Sequence, residues 1–167
     1  MAIPKTLRNF TAFVDGRGYA GRIEEIELPK LTLKTEEWRG GGMDAPIEID
    51  LGMEKIETTL TFAEYDRELF KLFGLADGNR VGLTLRGAVQ ADSASEAVIV
   101  TLRGLVKELD AGTWKAGDQA SLKMMVAARY YKLEIGGQTI IEIDTENMIR
   151  RIGGSDQLAS QRQALGV

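Results

Sequence analysis

The chain contains no cysteine and no histidine. Without a thiol, disulfides, thiolate metal ligands and cysteine nucleophiles are excluded. Without an imidazole, the side chain most used for proton transfer near neutral pH is missing, along with one of the commonest metal ligands. Ser-His-Asp catalysis, histidine-ligated zinc and histidine phosphotransfer are therefore ruled out, and an enzyme using only carboxylates stays open as a minority option. No apolar run approaches the length that crosses a bilayer. Residues 1–20 carry charges and glycines where a signal peptide needs an unbroken apolar stretch, so the chain is expected to be made and kept in the cytoplasm until another event releases it. A formal charge of -4 argues against a surface built to grip phosphates.

What is present is a mainly β pattern. With 167 residues, 44% hydrophobic and 28% charged, the chain suits one domain over 1–167 with a real core. Ile47, Ile49 and Leu51 alternate with Glu48 and Asp50; Ile56, Thr58, Leu60 and Phe62 alternate with Glu57, Thr59 and Thr61. Leu31 and Leu33 alternate with Thr32, Lys34 and Glu36, and Val81, Leu83, Leu85 and Val89 form another apolar face. Two long strands are expected over 97–109 and 120–135. In the second, Leu122, Met124, Val126 and Ala128 share one face while Tyr131, Leu133 and Ile135 share the other, a phase change that predicts a bulge or a change of packing environment. Gly136-Gly137 then makes a two-residue hairpin into 139–143. Residues 22–28 read as a kinked strand stopped by Pro29. One helix is expected over 63–73, with Tyr65, Leu69 and Phe73 on one face and Gly74 as its C-terminal cap, followed by a turn at Asp77-Gly78. A weaker helix is expected from Ser155, its N-cap, to Leu165. The total is nine or ten strands and one or two short helices.

Several motifs invite sharper readings. Gly16-Arg17-Gly18-Tyr19-Ala20-Gly21 has the G-x-G-x-x-G spacing, but no helix opens there to hold a pyrophosphate, so a glycine hairpin is the better account. Gly40-Gly41-Gly42 lacks the Gly-Lys-Ser/Thr of a phosphate loop and predicts a tightly bent excursion, which orders against a neighbouring subunit if Trp38 and Met43 are to leave water. Glu24-Glu25 and Glu36-Glu37 are adjacent on strands and point to opposite faces, so neither doublet makes a shared-proton dyad. Asp144 and Glu146 are a thin basis for a cation site. Tyr130, Tyr131 and Trp114 are expected in core or interface packing. No cofactor is expected. Strands with a polar face and open edges remain, and pairing with identical copies in a closed ring satisfies such edges.

Certain runs resemble a known family. Leu28-Pro29-Lys30-Leu31, Lys34-Thr35-Glu36, the run from Arg39 to Pro46, and Ile49-Asp50-Leu51-Gly52 are similar to the FII-type major tail tube protein of contractile-tailed bacteriophages and its R-type pyocin relatives. Leu102-Arg103-Gly104, Lys107-Glu108-Leu109-Asp110, Trp114-Lys115-Ala116-Gly117, Tyr130-Tyr131-Lys132-Leu133-Glu134, Glu142-Ile143-Asp144, Asp156-Gln157-Leu158 and Leu165-Gly166 extend the resemblance over essentially the whole chain.

The resemblance implies a non-enzymatic β-sandwich or barrel-like subunit with one short helix. Its sheets join into a continuous barrel in a hexameric ring, and rings stack into a hollow tube driven through a target membrane by sheath contraction. It implies a contractile sheath outside, a tape measure protein and then DNA in the lumen, and baseplate and tube-terminator proteins at the ends, in a phage virion tail or a released pyocin assembled in the bacterial cytoplasm. Residues 38–47 correspond to an inter-ring loop, with Trp38, Arg39 and Met43 as anchors among Gly40, Gly41, Gly42, Asp44, Ala45 and Pro46. Ile3 and Pro4, and Leu158 and Leu165 within 155–167, supply further contacts. The helix packs outside the barrel with Leu69 and Phe73 turned inward. Lumen-lining candidates are Thr32, Lys34, Glu36, Glu57, Thr59 and Thr61, Lys34 departing from an otherwise acidic or neutral set. The competing readings are a secretion-type tube subunit, a monomeric ligand-binding β-barrel and a carboxylate-only hydrolase.

Overall fold

The computed structural model describes residues 1–75 and 79–167, so the Asp77-Gly78 turn lies outside the described residues. The first half contains β1 (Thr6–Val14), β2 (Arg17–Gly18), β3 (Ile23–Glu27), β4 (Leu33–Trp38), β5 (Ile47–Met53), β6 (Ile56–Phe62) and the helix α1 (Arg67–Phe70). The second contains β7 (Val81–Gln90), β8 (Ser95–Asp110), β9 (Leu122–Ile135), β10 (Gln138–Asp144), β11 (Ile149–Ile152), β12 (Ser155–Asp156) and α2 (Ala159–Leu165). The count exceeds the expected nine or ten strands because β2 and β12 are two-residue pieces that no periodicity reveals.

Alternation decides which side of each strand meets the core. In β6 the pattern is complete: Ile56, Thr58, Leu60 and Phe62 are buried, and Glu57, Thr59 and Thr61 lie on the other face. Thr58, the polar member of the buried set, donates its hydroxyl to the carbonyl of Glu27 at 2.7 Å, which removes the cost of an orphaned buried group.

The phase change in β9 is a bulge. Arg103 of β8 pairs with Tyr130 and Gly104 with Ala128, leaving Arg129 without a cross-strand partner. The extra residue brings Leu122, Met124, Val126 and Tyr131 back to one buried side despite their mixed parity. At the same point the strands separate into two leaves. Tyr130–Ile135 pairs with β10 and Leu122–Ala128 with β6, while β7 accompanies β8 only as far as Gly104. One leaf runs β12-β11-β10-β9-β8-β7-β1-β2, and the other is β3-β6-β9-β8, built on the second half of β8 and the first half of β9. Between the leaves lies one apolar cluster, including Ala12, Val14, Leu60, Phe62, Leu83, Leu102, Val106 and Val126.

The bend requires glycine at 104. A Cβ built there would stand 2.0 Å from the carbonyl oxygen of Ala127, well inside contact distance and against backbone that cannot swing away. The hairpins need left-handed backbone as well: Asp15 and Gly16 turn β1 into β2 with φ of 48° and 80°, and Gly136-Gly137 turns β9 into β10 with 58° and 82°. The G-x-G-x-x-G run is thus a hairpin, and 22–28 is strand β3.

The helices are shorter than the periodicity predicts. Only Arg67–Phe70 is α-helical, because the Asp66 carboxylate accepts from the Glu68 amide and starts the helix there. Leu69 is buried as expected, but Phe73 is 56% exposed. Its backbone is drawn into a bridge with Val106, and Gly74, at φ 59°, donates to the Val106 carbonyl, which takes the last turn off the helix axis. Tyr19 packs edge-on to Phe62 with centroids 5.1 Å apart and donates its hydroxyl to Asp66 at 2.9 Å. Burial, with Asp66 beside it, pushes that hydroxyl up to about 12.

Gly104→Ala is expected to destabilise the folded chain by about 3 kcal/mol, since the new methyl must push two paired strands apart. Gly41→Ala, with open space at its Cβ, should change stability by less than about 0.5 kcal/mol. Urea unfolding of both variants checks the contrast, and equal midpoints would remove Gly104 from its role.

Candidate assembly site

Strands β4 and β5 pair only with each other and form an arm off the two-leaf body. Residues 31–39 and 44–51 are exposed throughout. Register sets Trp38 opposite Ile47 and Glu36 opposite Ile49, so Ile47, Ile49, Leu51 and Trp38 share one face, each between 43% and 53% exposed. The other face carries Glu37 directly opposite Glu48, a like-charge pair, and Asp50. A lone two-stranded hairpin is marginal in water, and this one has its apolar side uncovered. Its one polar anchor is Arg150, which donates to the Asp50 carboxylate at 2.7 Å. That guanidinium, with the Gly52 amide, holds the Asp50 carboxyl below its ordinary range.

The arm's tip is a tight turn. The Met43 amide donates to the Gly40 carbonyl at 3.3 Å, and Arg39 Nε donates to the Met43 carbonyl at 3.1 Å. Gly42 takes φ 85°, and a Cβ on Gly40 would come within 2.4 Å of the Trp38 ring. Trp38, Arg39, Gly40, Gly41, Gly42 and Met43 are therefore gathered at one end of the arm, and Asp44, Ala45 and Pro46 lead back into β5.

The second surface is the outer face of the leaf β3-β6-β9-β8. Cross-strand register places Glu57 beside Ala127 and Leu105, Thr59 beside Met125, Glu108 and Glu27, and Thr61 beside Lys123, Asp110 and Glu25. Glu27, Glu57, Glu108 and Asp110 thus stand among threonines with three ammonium groups, Lys55, Lys107 and Lys123, while Glu25, at the end of the leaf, also borders the groove between the leaves. Lys107 donates to Glu57, which lowers the Glu57 carboxyl and raises the lysine. Thr32 lines a cavity with Glu57 and Thr59, whereas Lys34 and Glu36 lie on the arm, off this face. Both borders of the leaf are largely open: among the described residues β3 pairs only with β6, and the outer side of residues 105–110 of β8 meets only the Phe73 bridge and the Gly74 amide at Val106.

The termini flank these surfaces. Ile3 and Pro4 are exposed ahead of β1. The C-terminal helix begins at Ala159 and not at Ser155, because Ser155 and Asp156 pair with Ile152 and Arg151 as β12. Asp156 fastens it: its carboxylate meets Arg162 Nη2 at 2.6 Å and accepts from the Leu158 amide at 3.0 Å. Together these hold the Asp156 carboxyl down at about 2. Leu158 is half-buried, and Leu165 is exposed on the last turn.

Other acidic and aromatic residues singled out in the sequence are engaged in structure. Asp144 accepts from the amides of Glu146 and Asn147, and Glu146 meets Arg80 and Arg129. Tyr131 is buried as expected. Tyr130 donates to Glu142 at 2.9 Å under the Arg103 guanidinium, which lies 4.1 Å from its ring. Trp114 lies outside the core, 86% exposed in the loop after β8, its indole N–H donating to Tyr65 at 3.0 Å, which leaves the interface half of the expectation. The Asp50–Arg150 tie was not legible beforehand, since its partners are 100 residues apart and neither strand's period pairs them.

A two-leaf β-structure with an exposed apolar arm and open leaf borders defines a β-protein with surfaces fit for assembly. The family model for phage tail tube protein FII matches residues 4–166. The chain is 33% identical over 172 residues to the tail tube protein of Escherichia phage P2, covering 100% of both chains. It is 34% identical over 158 residues to the major tail tube protein of Serratia phage KSP20, covering 93% of this chain and 92% of that one. The chain belongs to the phage tail tube protein FII family. The anti-feeding prophage tube-terminating cap shares its fold with a TM-score of 0.64 at 10% identity, over 80% of this chain and 93% of the cap. A chain of the sheath–tube complex of an extracellular contractile injection system does so at 0.60 and 15%, over 78% and 91%.

The Asp156 carboxyl sits below its ordinary value, so the fastening it provides is complete above about pH 4 and is lost as pH falls toward about 2. Hydrogen exchange at the Leu158 and Arg162 amides should speed up across that window. Asp156→Asn should show fast exchange at neutral pH and no such transition.

Proposed function

We propose that this chain is the tube subunit of a contractile injection particle, assembling into hexameric rings that stack into a hollow tube. The observation that carries the reading is the arm: an exposed hairpin with an uncovered apolar face, in a chain of the tail tube family. Contacts through Trp38, Arg39 and Met43, with Gly40 to Pro46 shaping the tip, join successive rings. Ile3, Pro4, Leu158 and Leu165 add contacts around them.

Ring closure follows from the open leaf. Its strands run alternately β8, β9, β6, β3, each antiparallel to the next. The β3 border of one copy therefore meets the β8 border of the next in antiparallel sense, and a ring of copies continues a single antiparallel sheet without edges. Facing the bore, Glu57, Thr59 and Thr61 with their neighbours present a net acidic, hydroxyl-rich lining to a tape measure protein and then to DNA. Repulsion of phosphate lets such cargo slide. The sheath surrounds the tube, a terminator and a baseplate close its ends, and sheath contraction drives the tube through the target membrane. Work is done by shape and stiffness, with no reacting group.

Electron microscopy of the concentrated protein is expected to show uniform hollow cylinders. A stable monomer at every concentration would overturn the reading. Met43→Asp should abolish the cylinders, since an unpaired charge buried at the contact costs about 3–5 kcal/mol. It should leave the melting temperature of the dilute chain unchanged, because the tip is not packed on the body.

A further inference from the structure

A second apolar surface lies beside β3, on the body of the chain. Where β1, β7 and β8 extend past the end of β3, the two leaves gape and leave a groove of about 400 Å³. Leu7, Phe10, Ile26, Leu28, Val89 and Val98 line it, and Glu24 and Glu25 stand on its rim. It opens directly onto core residues Leu85 and Val100. A gap in the side of a core is not left to water when a matching apolar surface is at hand.

We infer that the groove receives the arm of another copy, Trp38 and Ile47 entering it and Lys34 and Arg39 meeting Glu24 and Glu25. This rests on the reading of the chain as a tube subunit and names the acceptor for its arm. The apolar faces match in kind, and the volume takes an indole with an aliphatic side chain. Charge favours the match on balance: Glu24 and Glu25 outnumber Arg86 at the groove, and none of Glu24, Glu25, Arg86, Lys34 and Arg39 forms an ion pair within the chain among the described residues. The chain's own arm does not serve, since Asp50 is tied to Arg150 of β11. From β11 the sheet runs through β10 and β9 before reaching β8, the first strand that lines the groove, about 14 Å of strand spacing. Arm and groove are different patches, so their union is head-to-tail, the type of contact that propagates into rings or stacks.

The absence of native cysteine makes the test clean. Chains carrying Ile49→Cys are mixed with chains carrying Leu28→Cys, assembled, and treated with a short thiol-to-thiol cross-linker. A cross-linked dimer joining the two variants is expected. Tubes seen by microscopy without that product, or with Ile49→Cys joined instead to a Thr113→Cys control, would overturn the groove assignment while leaving the tube reading intact. Absence of tubes from the unmodified protein defeats the tube reading itself. As a second measurement, Glu24→Arg with Glu25→Arg should cut tube yield at least about tenfold, as should Lys34→Glu with Arg39→Glu. All four changes in one chain should bring yield back to within about twofold of the original. Failure of the combined variant to recover, or no loss from either pair, counts against the contact.

Discussion

The close approach of β8 and β9 at Gly104 is the constraint on which the remaining architecture depends. Because no side chain stands between Gly104 and the Ala127 carbonyl, two long strands bend together and serve two leaves. Arg129, left over at the same point, restores the inward phase of everything that follows it in β9. The core is the space enclosed between the two halves of one pair of strands. The same bend detaches β8 from β7 and so opens one border of the smaller leaf.

The surface departs from that of a self-sufficient β-protein in a consistent way. The main leaf ends in two-residue strands, β2 and β12, which blunt its edges. The smaller leaf keeps its borders open, and the arm holds isoleucines and a tryptophan in water. Apolar surface and unpaired backbone are thus concentrated at the arm and the smaller leaf, while several charges elsewhere are joined in cross-strand networks. Arg103, Tyr130, Glu142 and Arg151 form a ladder across the main leaf, and Lys107 and Lys55 both attend Glu57. Such an arrangement suits a stiff building block better than a reactive site.

Alternation was readable where a strand keeps one face in the core throughout. The complete alternation of β6 and the bulge behind the β9 phase change were both legible for that reason, as was the Gly136-Gly137 hairpin, whose φ values demand glycine. Short elements failed because their limits are set by partners remote in sequence. The Phe73 bridge to Val106 cut α1 short and left Phe73 outside, and pairing of Ser155 and Asp156 with β11 delayed α2. For Trp114 size and apolarity left core and interface undivided, and only the loop's position put it outside the core.

By itself the sequence determined the chemistry that is absent, the β class and the residues of the arm's tip, since these depend on residue type and on periods of a few positions. Only the tertiary structure decided that the arm turns its apolar face away from the body, that Asp50 reaches Arg150, that one leaf has both borders free, and that a groove opens beside β3. Those features arise from strands meeting across a hundred residues of chain, and local alternation carries no record of which strands meet.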